Sequence, residues 1–236
     1  MKKTIALVLL FALYRTCFAI TAQEITKAVD DNLTFNEGEM NMTLIDIKKG
    51  KTIKELDANI IFKKDKGTLM TFTAPAREKN KKILMMKDNM WMYVPGISRP
   101  IRLSGKDSFM GTSFSNRDLM DFDMNNDYKS RIVKETDKEY VLEMLATNKN
   151  VSYSKIITAV EKERLLTIKQ ELYTVSGNLI KTMDFSGIKE YGGKLRPSVI
   201  VVKDVLTQGS ETKVIINDMT NKEINDNIFS PQKMVK

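Results

Sequence analysis

The sequence predicts a mainly β protein built on one large antiparallel sheet, and three observations support this. Short runs rich in β-branched and aromatic residues recur from Gly38 onward, as they do in strands. Turn residues separate these runs, for example at Lys49-Gly50, Ser176-Gly177-Asn178 and Gly192-Gly193. Helical periodicity is confined to a few brief stretches. Closely spaced short strands of this kind form a large sheet, a sandwich or a barrel.

The N-terminus has the features of a secretory signal peptide. Lys2 and Lys3 precede a short apolar run, Ile5–Leu13, and small residues suitable for cleavage follow at Ala19 or Ala22. The run is too short to span a membrane. A retained N-terminal anchor helix is the alternative interpretation. We expect a signal peptide over 1–19, a single domain over 20–236, and a soluble protein of the periplasm.

Cysteine and histidine usage narrows the possible chemistry. Cys17 is the single cysteine and lies within the predicted signal peptide, after residues that do not suit lipidation. A mature chain without thiols tolerates an oxidising compartment. The chain has no histidine, which excludes Ser-His-Asp and Cys-His catalysis and the usual zinc sites. Carboxylate or lysine chemistry stays possible, but we expect no enzyme activity, metal or cofactor.

The positive charge is unevenly distributed. The formal net charge is +8 for the whole chain and +5 without residues 1–19, and eleven basic against four acidic residues lie between Lys48 and Lys82. We prefer to interpret this region as solvated, lysine-rich turns and edge strands. Attraction to an anionic membrane surface or partner is the alternative. The export signal and the lack of a recognisable motif argue against nucleic-acid binding.

The elements follow in order. An amphipathic helix is predicted over Gln23–Asn32, because Ile25, Ala28, Val29 and then Leu33 recur at helical spacing. The thirteen predicted strands are Glu39–Lys48, Thr52–Phe62, Thr68–Thr73, Lys82–Lys87, Met90–Val94, Arg99–Leu103, Tyr128–Glu135, Tyr140–Thr147, Ser154–Val160, Leu165–Tyr173, Leu179–Ile188, Leu195–Asp204 and Thr212–Met219.

Two stretches interrupt the strands. Gly105–Asp123 is not strand-like, and Ser115 can cap a short helix there with Asp118 at its N3 position. A second, shorter interruption is predicted at Asn221–Asn227. The acidic stretch 121–127 departs from a calcium-binding loop, because its sixth and twelfth positions are Asn126 and Ile132 rather than glycine and glutamate. We predict a turn there that leads into the next strand.

Methionine and aromatic residues concentrate in the first half of the chain. Ten of the fifteen methionines lie between Met40 and Met124, and methionine adapts well to varied apolar partners. Core filling and contact with a ligand are both compatible with this cluster around Trp91. Trp91 and Tyr93 point to one side of their strand. Whether Met85 shares that side depends on the hairpin register, which the sequence leaves open.

An ordered set of motifs resembles the outer-membrane lipoprotein-sorting protein family, the periplasmic relatives of the lipoprotein carriers LolA and LolB. The motifs are Phe72-Thr73-x-Pro75-Ala76-Arg77, Trp91-Met92-Tyr93-x-Pro95, Arg99, Arg102, Met110-Gly111-Thr112-x-Phe114-Ser115-x-x-Asp118-Leu119, Tyr140-Val141-Leu142-Glu143, Gln170-Glu171-Leu172-Tyr173, Gly177-Asn178-Leu179-x-Lys181-Thr182 and Gly192-Gly193-x-x-x-Pro197. Ser113 and Arg117 depart from the family pattern, since acidic residues are frequent at both positions.

The resemblance implies a half-closed antiparallel β-barrel wrapped around a few helices, with an apolar cavity between them. It implies a monomeric, non-enzymatic carrier that holds acyl chains of lipoproteins or lipids, meets membrane surfaces transiently and acts beside an inner-membrane exporter. The candidate cavity residues are Phe72, Met85, Trp91, Tyr93, Met110, Phe114 and Leu119. Arg99 and Arg102 are candidates for contacts to head groups or to loop carboxylates. A sensor or scaffold module that binds a protein partner is the main alternative, and a lipid hydrolase is a further one.

Overall fold

The computed structural model describes residues 20–120, 124–148 and 151–235, so the predicted signal peptide over 1–19 lies outside the described residues. A single antiparallel sheet of thirteen strands, open and curved, forms the frame. The strands are β1 Glu37–Lys48, β2 Lys51–Lys63, β3 Gly67–Ala74, β4 Lys82–Met86, β5 Asn89–Tyr93, β6 Ile101–Leu103, β7 Tyr128–Glu135, β8 Glu139–Ala146, β9 Lys155–Glu161, β10 Leu166–Tyr173, β11 Leu179–Tyr191, β12 Lys194–Asp204 and β13 Ser210–Asn221. The predicted fold class is confirmed, and each predicted strand has its counterpart.

The helical elements are few and short. Helix α1 spans Ala22–Leu33, and its capping box joins the Thr21 hydroxyl to the Glu24 N–H and the Glu24 carboxylate to the Thr21 N–H. Helix α2 is the single turn Met124–Asp127, directly before β7. The remaining helical elements are 3₁₀ turns at Asn116–Leu119, Asp226–Ile228 and Pro231–Val235.

Strand order follows chain order except at one place. The order across the sheet is β6-β5-β4-β3-β2-β1-β13-β12-β11-β10-β9-β8-β7. The last strand, β13, therefore pairs with β1 and joins an N-terminal half-sheet, β1 to β6, to a half-sheet of later strands. In this pairing Leu44 lies opposite Val214 and Lys48 opposite Ser210. The sheet is completed only by residues that are far apart in sequence.

The inner face of the curved sheet carries the main core. In the N-terminal half, Leu44, Leu56, Ile60, Phe72 and Ile83 are at most 3% exposed and belong to one apolar cluster. In the other half, α1 packs on β7, β10 and β12, and its Ile25 and Val29 join a second cluster. Met183 packs against both clusters, so the apolar inner face is continuous.

The outer face is also covered near β3 to β5. Residues 222–235, here called the C-terminal segment, place Ile224, Phe229 and Met234 over Leu84 on that face. Lys63 anchors the segment through Asp226 at 2.9 Å and through the carbonyl of Ile224 at 2.9 Å. This cover explains why the sequence of β4 and β5 is apolar on both faces rather than alternating.

Candidate functional site

Residues 104–120, here called the cover segment, lie on the inner face of the sheet. Phe109, Phe114 and Met120 of this segment are at most 5% exposed, and they pack in the same apolar cluster as Phe72 and Met85 of the sheet. The cover segment thus occupies apolar surface that a concave sheet would otherwise present to a ligand or to water.

A tight turn brings the two phenylalanines of the cover segment together. Met110 and Gly111 both have positive φ, 53° and 79°, a conformation that costs glycine little but methionine more. The Phe109 N–H donates to the Phe114 carbonyl at 2.8 Å across this turn. Both rings therefore point into the inner core from one small loop.

A first group of polar contacts attaches the start of this loop to the sheet. The ammonium group of Lys54 donates to the Met110 carbonyl. The Ser113 N–H donates to Thr212 Oγ1 at 2.9 Å, and the hydroxyls of Ser113 and Ser210 are 3.2 Å apart. Thr212 in turn donates to Asp46, whose side chain is 2% exposed. An acidic residue at position 113 would lie close to that buried carboxylate, so serine suits this site better.

A second group of contacts, here called the Asp118 cluster, attaches the end of the cover segment. Asp118 forms a 2.6 Å ion pair with Lys181 on β11, and it accepts a 2.5 Å hydrogen bond from the Tyr153 hydroxyl. The side chains of Lys181 and Asp118 are only 14% and 8% exposed. Burial, and then the neighbouring Asp118 carboxylate, raise the pKa of Tyr153 far above its usual range. Asp118 also completes the predicted capping box with Ser115.

A small cavity of about 130 Å³ adjoins the Asp118 cluster. Its lining residues are Arg117, Asp118, Asp127, Val151, Ser152, Tyr153, Ile156, Gln170, Leu172 and Met183. Sites for drug-sized ligands have volumes of roughly 300–1,000 Å³, so this space is too small for a long acyl chain.

The structure brings five of the seven predicted cavity residues together. Phe72, Met85 and Phe114 are buried in the inner core, and Met110 and Leu119 pack against it. Whether any of them contacts a lipid stays a prediction.

Trp91 and Tyr93 lie on the outer face, against the C-terminal segment. The sequence left the register of the β4–β5 hairpin open. In the structure Trp91 pairs with Leu84, and Met85 pairs with Met90. Trp91 and Met85 are therefore on opposite faces of the sheet.

The two predicted head-group arginines lie at the exposed edge of the N-terminal half-sheet. Arg102 is on β6, opposite Trp91, and donates to the side chain of Asn89. Arg99 is exposed in the turn between β5 and β6. Neither lies in the inner core cluster.

Three polar residues of the inner face were not singled out by the sequence analysis. They are Lys181, Tyr153 and Arg196. Arg196 is on the same side of β12 as Ser198, Ile200 and Val202, and Val202 belongs to the inner core. The two-residue period of β12 could have placed Arg196 inside, had the buried face of the strand been known.

The described ranges contain no group of three or more His, Cys, Asp or Glu residues placed to hold a metal ion. In the same ranges, no helix has the length and apolar character needed to cross a membrane.

Comparisons with known proteins found one family model that matches the sequence and solved structures that match the fold. A family model described as an uncharacterized protein matches residues 64–236. No curated protein matches. A solved LolA superfamily protein of Nitrosomonas europaea is 27% identical with a TM-score of 0.77, over 90% of this chain and 98% of that chain.

Two further solved structures share the fold. A domain of Vibrio parahaemolyticus assigned to the outer membrane lipoprotein-sorting proteins is 23% identical with a TM-score of 0.77, over 91% of this chain and 98% of that chain. A DUF1329 family protein of Desulfovibrio piger is 22% identical with a TM-score of 0.79, over 89% and 95% of the two chains.

Proposed function

Because the chain belongs to the family of uncharacterized proteins whose model matches residues 64–236, and because it has the LolA-superfamily fold of lipoprotein-sorting proteins, we propose that it is a non-enzymatic carrier. Its cargo is the acyl chains of lipoproteins or lipids, held on the inner face of the sheet. Transfer toward the outer membrane, together with an inner-membrane exporter, belongs to the same proposal.

The observation that carries this proposal is the composition of the cover segment. Its buried apolar side chains are Phe109, Phe114 and Met120. Its polar attachments are hydrogen bonds from its middle and two ion pairs near its end, Asp118 with Lys181 and Arg117 with Asp88. Polar attachments of this kind exchange with water at modest net cost. An acyl chain can replace the apolar contacts that the two rings make with the sheet.

The energetics favour such an exchange once an acyl chain reaches the site. Burial of each methylene contributes about 0.8 kcal/mol. A chain of ten methylenes therefore gains roughly 8 kcal/mol from burial alone, against the cost of displacing the loop. Met70, Met85 and Met90 of the inner core have flexible side chains that can adapt to chains of different length.

The surface that would meet a membrane is formed by three neighbouring turns, which connect β1 to β2, β10 to β11 and β12 to β13. Backbone hydrogen bonds hold them side by side, from Lys49 N–H to the Gly209 carbonyl and from Val205 N–H to the carbonyl of Ile180 at the start of β11. Val175 is 94% exposed and Leu206 is 74% exposed at their tips. The adjoining run 48–54 holds four lysines and no acidic residue. Exposed aliphatic tips beside lysines suit a transient contact with anionic lipid.

Export to the periplasm and a monomeric state are parts of the proposal. The capping box of α1 bears on the cleavage position, since cleavage after Ala19 keeps Thr21 and cleavage after Ala22 removes it. Loss of an N-cap threonine costs about 1 kcal/mol of helix stability. We therefore favour cleavage after Ala19.

A reversible crosslink tests whether the cover segment must move. The hydroxyls of Ser113 and Ser210 are 3.2 Å apart, close enough for a disulfide between cysteines at these positions. In a Cys17→Ser background, the oxidised Ser113→Cys/Ser210→Cys protein should lose binding of a fluorescent fatty acid, and reduction should restore it.

Two outcomes would contradict the proposal. Equal binding by the oxidised and reduced forms would exclude movement of the cover segment, and no binding by the unmodified protein would exclude the carrier function. The single variant Ser113→Cys controls for effects of the substitution itself.

A further inference from the structure

Arg196 is a half-buried cation that no acidic side chain among the described residues neutralises. Its guanidinium carbon lies 5.5 Å from the centroid of the Phe35 ring, and its Nη1 lies 3.3 Å from the sulfur of Met219. Its Nε–H is buried and has no hydrogen-bond partner within the described ranges. A buried donor that is left unpaired is costly, and a native protein that keeps one commonly uses it for an ion, a water or a ligand.

The surroundings of Arg196 are apolar on the side of the core. Tyr191, Ile216 and Met219 form a buried cluster there, against which Met40 and Phe62 pack. Met40 and Phe62 also pack against the main inner core. The guanidinium therefore stands at one end of the continuous apolar inner face.

A polar hollow of about 460 Å³ adjoins the Phe35 ring, and Arg196 is separated from its lining by that ring contact rather than lining it directly. Phe35, whose ring contacts Arg196, lines this hollow together with Lys194 and the turn at Gly192. The ammonium group of Lys194 is 5.4 Å from the same ring and donates to the Thr34 carbonyl at 2.8 Å. Two cations thus lie within 5.5 Å of the centroid of one aromatic ring, which borders both the buried apolar cluster and the hollow.

The acidic side chains that line the hollow do not compensate Arg196. Glu37 is bound to Lys63 at 3.0 Å and to the Ile224 N–H at 2.9 Å. Glu223 is exposed to solvent. The local arrangement leaves a positive charge beside an apolar surface, which complements a molecule with one anionic end and one apolar chain.

We propose that Arg196, with Lys194 beside it, binds the carboxylate or phosphate head group of an amphiphile whose chain lies on the inner face. This inference rests on the proposed carrier function and adds the chemical class of the cargo. The planar guanidinium suits a carboxylate or phosphate and supplies the unused Nε–H as a charge-assisted donor. Lys194, whose ammonium group donates to the carbonyls of Asp31 and Thr34, supplies a second positive charge at the hollow.

Calorimetric titration with octanoate and octan-1-ol tests the inference, because the two probes share a chain and differ in charge. Arg196→Met should weaken octanoate binding about tenfold or more and change octan-1-ol binding less than about twofold. Arg77→Met is the matched control, since Arg77 is 69% exposed in the turn after β3, and it should change neither.

The outcomes separate this inference from the carrier function. Binding of both probes by every variant with unchanged affinity would overturn the role of Arg196 and leave the carrier function standing. Failure of the unmodified protein to bind either probe would overturn both. Inorganic phosphate that binds as tightly as octanoate and is lost in Arg196→Met would show a small-anion site, which contradicts an amphiphile anchor.

A second measurement covers the case in which Arg196→Met does not fold, as judged by circular dichroism. The Nε–H resonance of Arg196, assigned with Arg196→Lys, should shift when octanoate is added to the unmodified protein. Octan-1-ol should leave the resonance nearly unchanged. An equal response to both probes, or a response to neither, would overturn the inference.

Discussion

Lys181 on β11 and Asp118 in the cover segment form a 2.6 Å ion pair that is largely shielded from solvent. The two residues are 63 positions apart in sequence, and the pair ties the end of the cover segment to the half-sheet of the later strands. In the middle of the segment, Ser113 and Met110 tie it to strands β13 and β2. The cover segment therefore spans the junction of the two half-sheets.

Removal of one partner of this pair should loosen the cover segment. Asp118→Asn leaves the Lys181 ammonium without its counter-ion, and breaking a buried pair in this way costs about 3–5 kcal/mol. We expect a lower midpoint of denaturant unfolding and faster uptake of a fluorescent fatty acid. Chemical denaturation and stopped-flow fluorescence measure these two quantities.

A double-mutant cycle isolates the pair from other effects. Asp118→Asn, Lys181→Met and their combination should give a coupling energy of about 1 kcal/mol or more. Additive effects of the two substitutions would show that the contact contributes little.

Phenylalanine truncation on the two sides of the inner core should have different consequences. Phe109→Ala and Phe72→Ala each remove a fully buried ring, and each should destabilise the fold by about 3–5 kcal/mol. Phe109 belongs to the cover segment, so its loss should also raise the population of the open form and the apparent affinity for fatty acid. Equilibrium binding beside unfolding curves distinguishes the two variants, and equal affinity changes would contradict the role of the cover segment.

The C-terminal segment should detach at acid pH. A hydrogen bond from the Ile224 N–H and one from Lys63 hold the pKa of Glu37 below its usual 4.5, and bonds from Lys66 and Lys63 hold the pKa of Asp226 below its usual 3.8. Lowered pKa values mean that this stabilisation is present above those usual values. It is lost as the pH falls through the lowered ones.

Trp91 reports this detachment, because the only tryptophan of the chain packs under the C-terminal segment. Its emission should move to longer wavelength as the pH falls below about 4. Asp226→Asn should show part of that shift at neutral pH, whereas Asp137→Asn, in the exposed turn between β7 and β8, should behave as the unmodified protein does. A pH-independent emission would contradict the prediction.

The aliphatic turn tips should contribute to membrane contact. Leu206→Asp with Val175→Asp should reduce co-sedimentation with phosphatidylglycerol vesicles by about tenfold or more, since burial of such a side chain contributes about 1.5–3 kcal/mol. Added salt should weaken the remaining binding of the lysine-rich run 48–54. Val133→Asp, on the distant edge strand β7, is the control, and an equal loss there would mean that the effect is not specific to the turns.

The sequence predicted the strands well because turn residues mark their ends. Lys49-Gly50 and Gly192-Gly193 occupy positive-φ turns, and the capping boxes at Thr21 and Ser115 start the predicted helical elements. The ends of a strand are harder to predict than its presence. Strand β11, for example, extends three residues beyond its predicted end at Ile188.

The sequence could not decide which face of a strand is inside. β4 and β5 are apolar on both sides, so alternation gives no preference for placing Trp91 with Met85 or opposite it. The answer depends on the C-terminal segment, more than 130 residues later in the chain, which covers the outer face. Arg196 was missed for a related reason, since a basic residue beside Pro197 in a strand is more often a solvated one.

The pairing of β1 with β13 has a consequence for the order of folding. Every backbone hydrogen bond between these strands joins residues at opposite ends of the domain, and such non-local pairings form slowly. The two half-sheets can each form from neighbouring hairpins. They can pair with each other only after β13 has been synthesised and has reached β1. For the export proposed above, completing the fold so late would keep the chain unfolded while it passes through a membrane channel, so that the sheet closes afterwards.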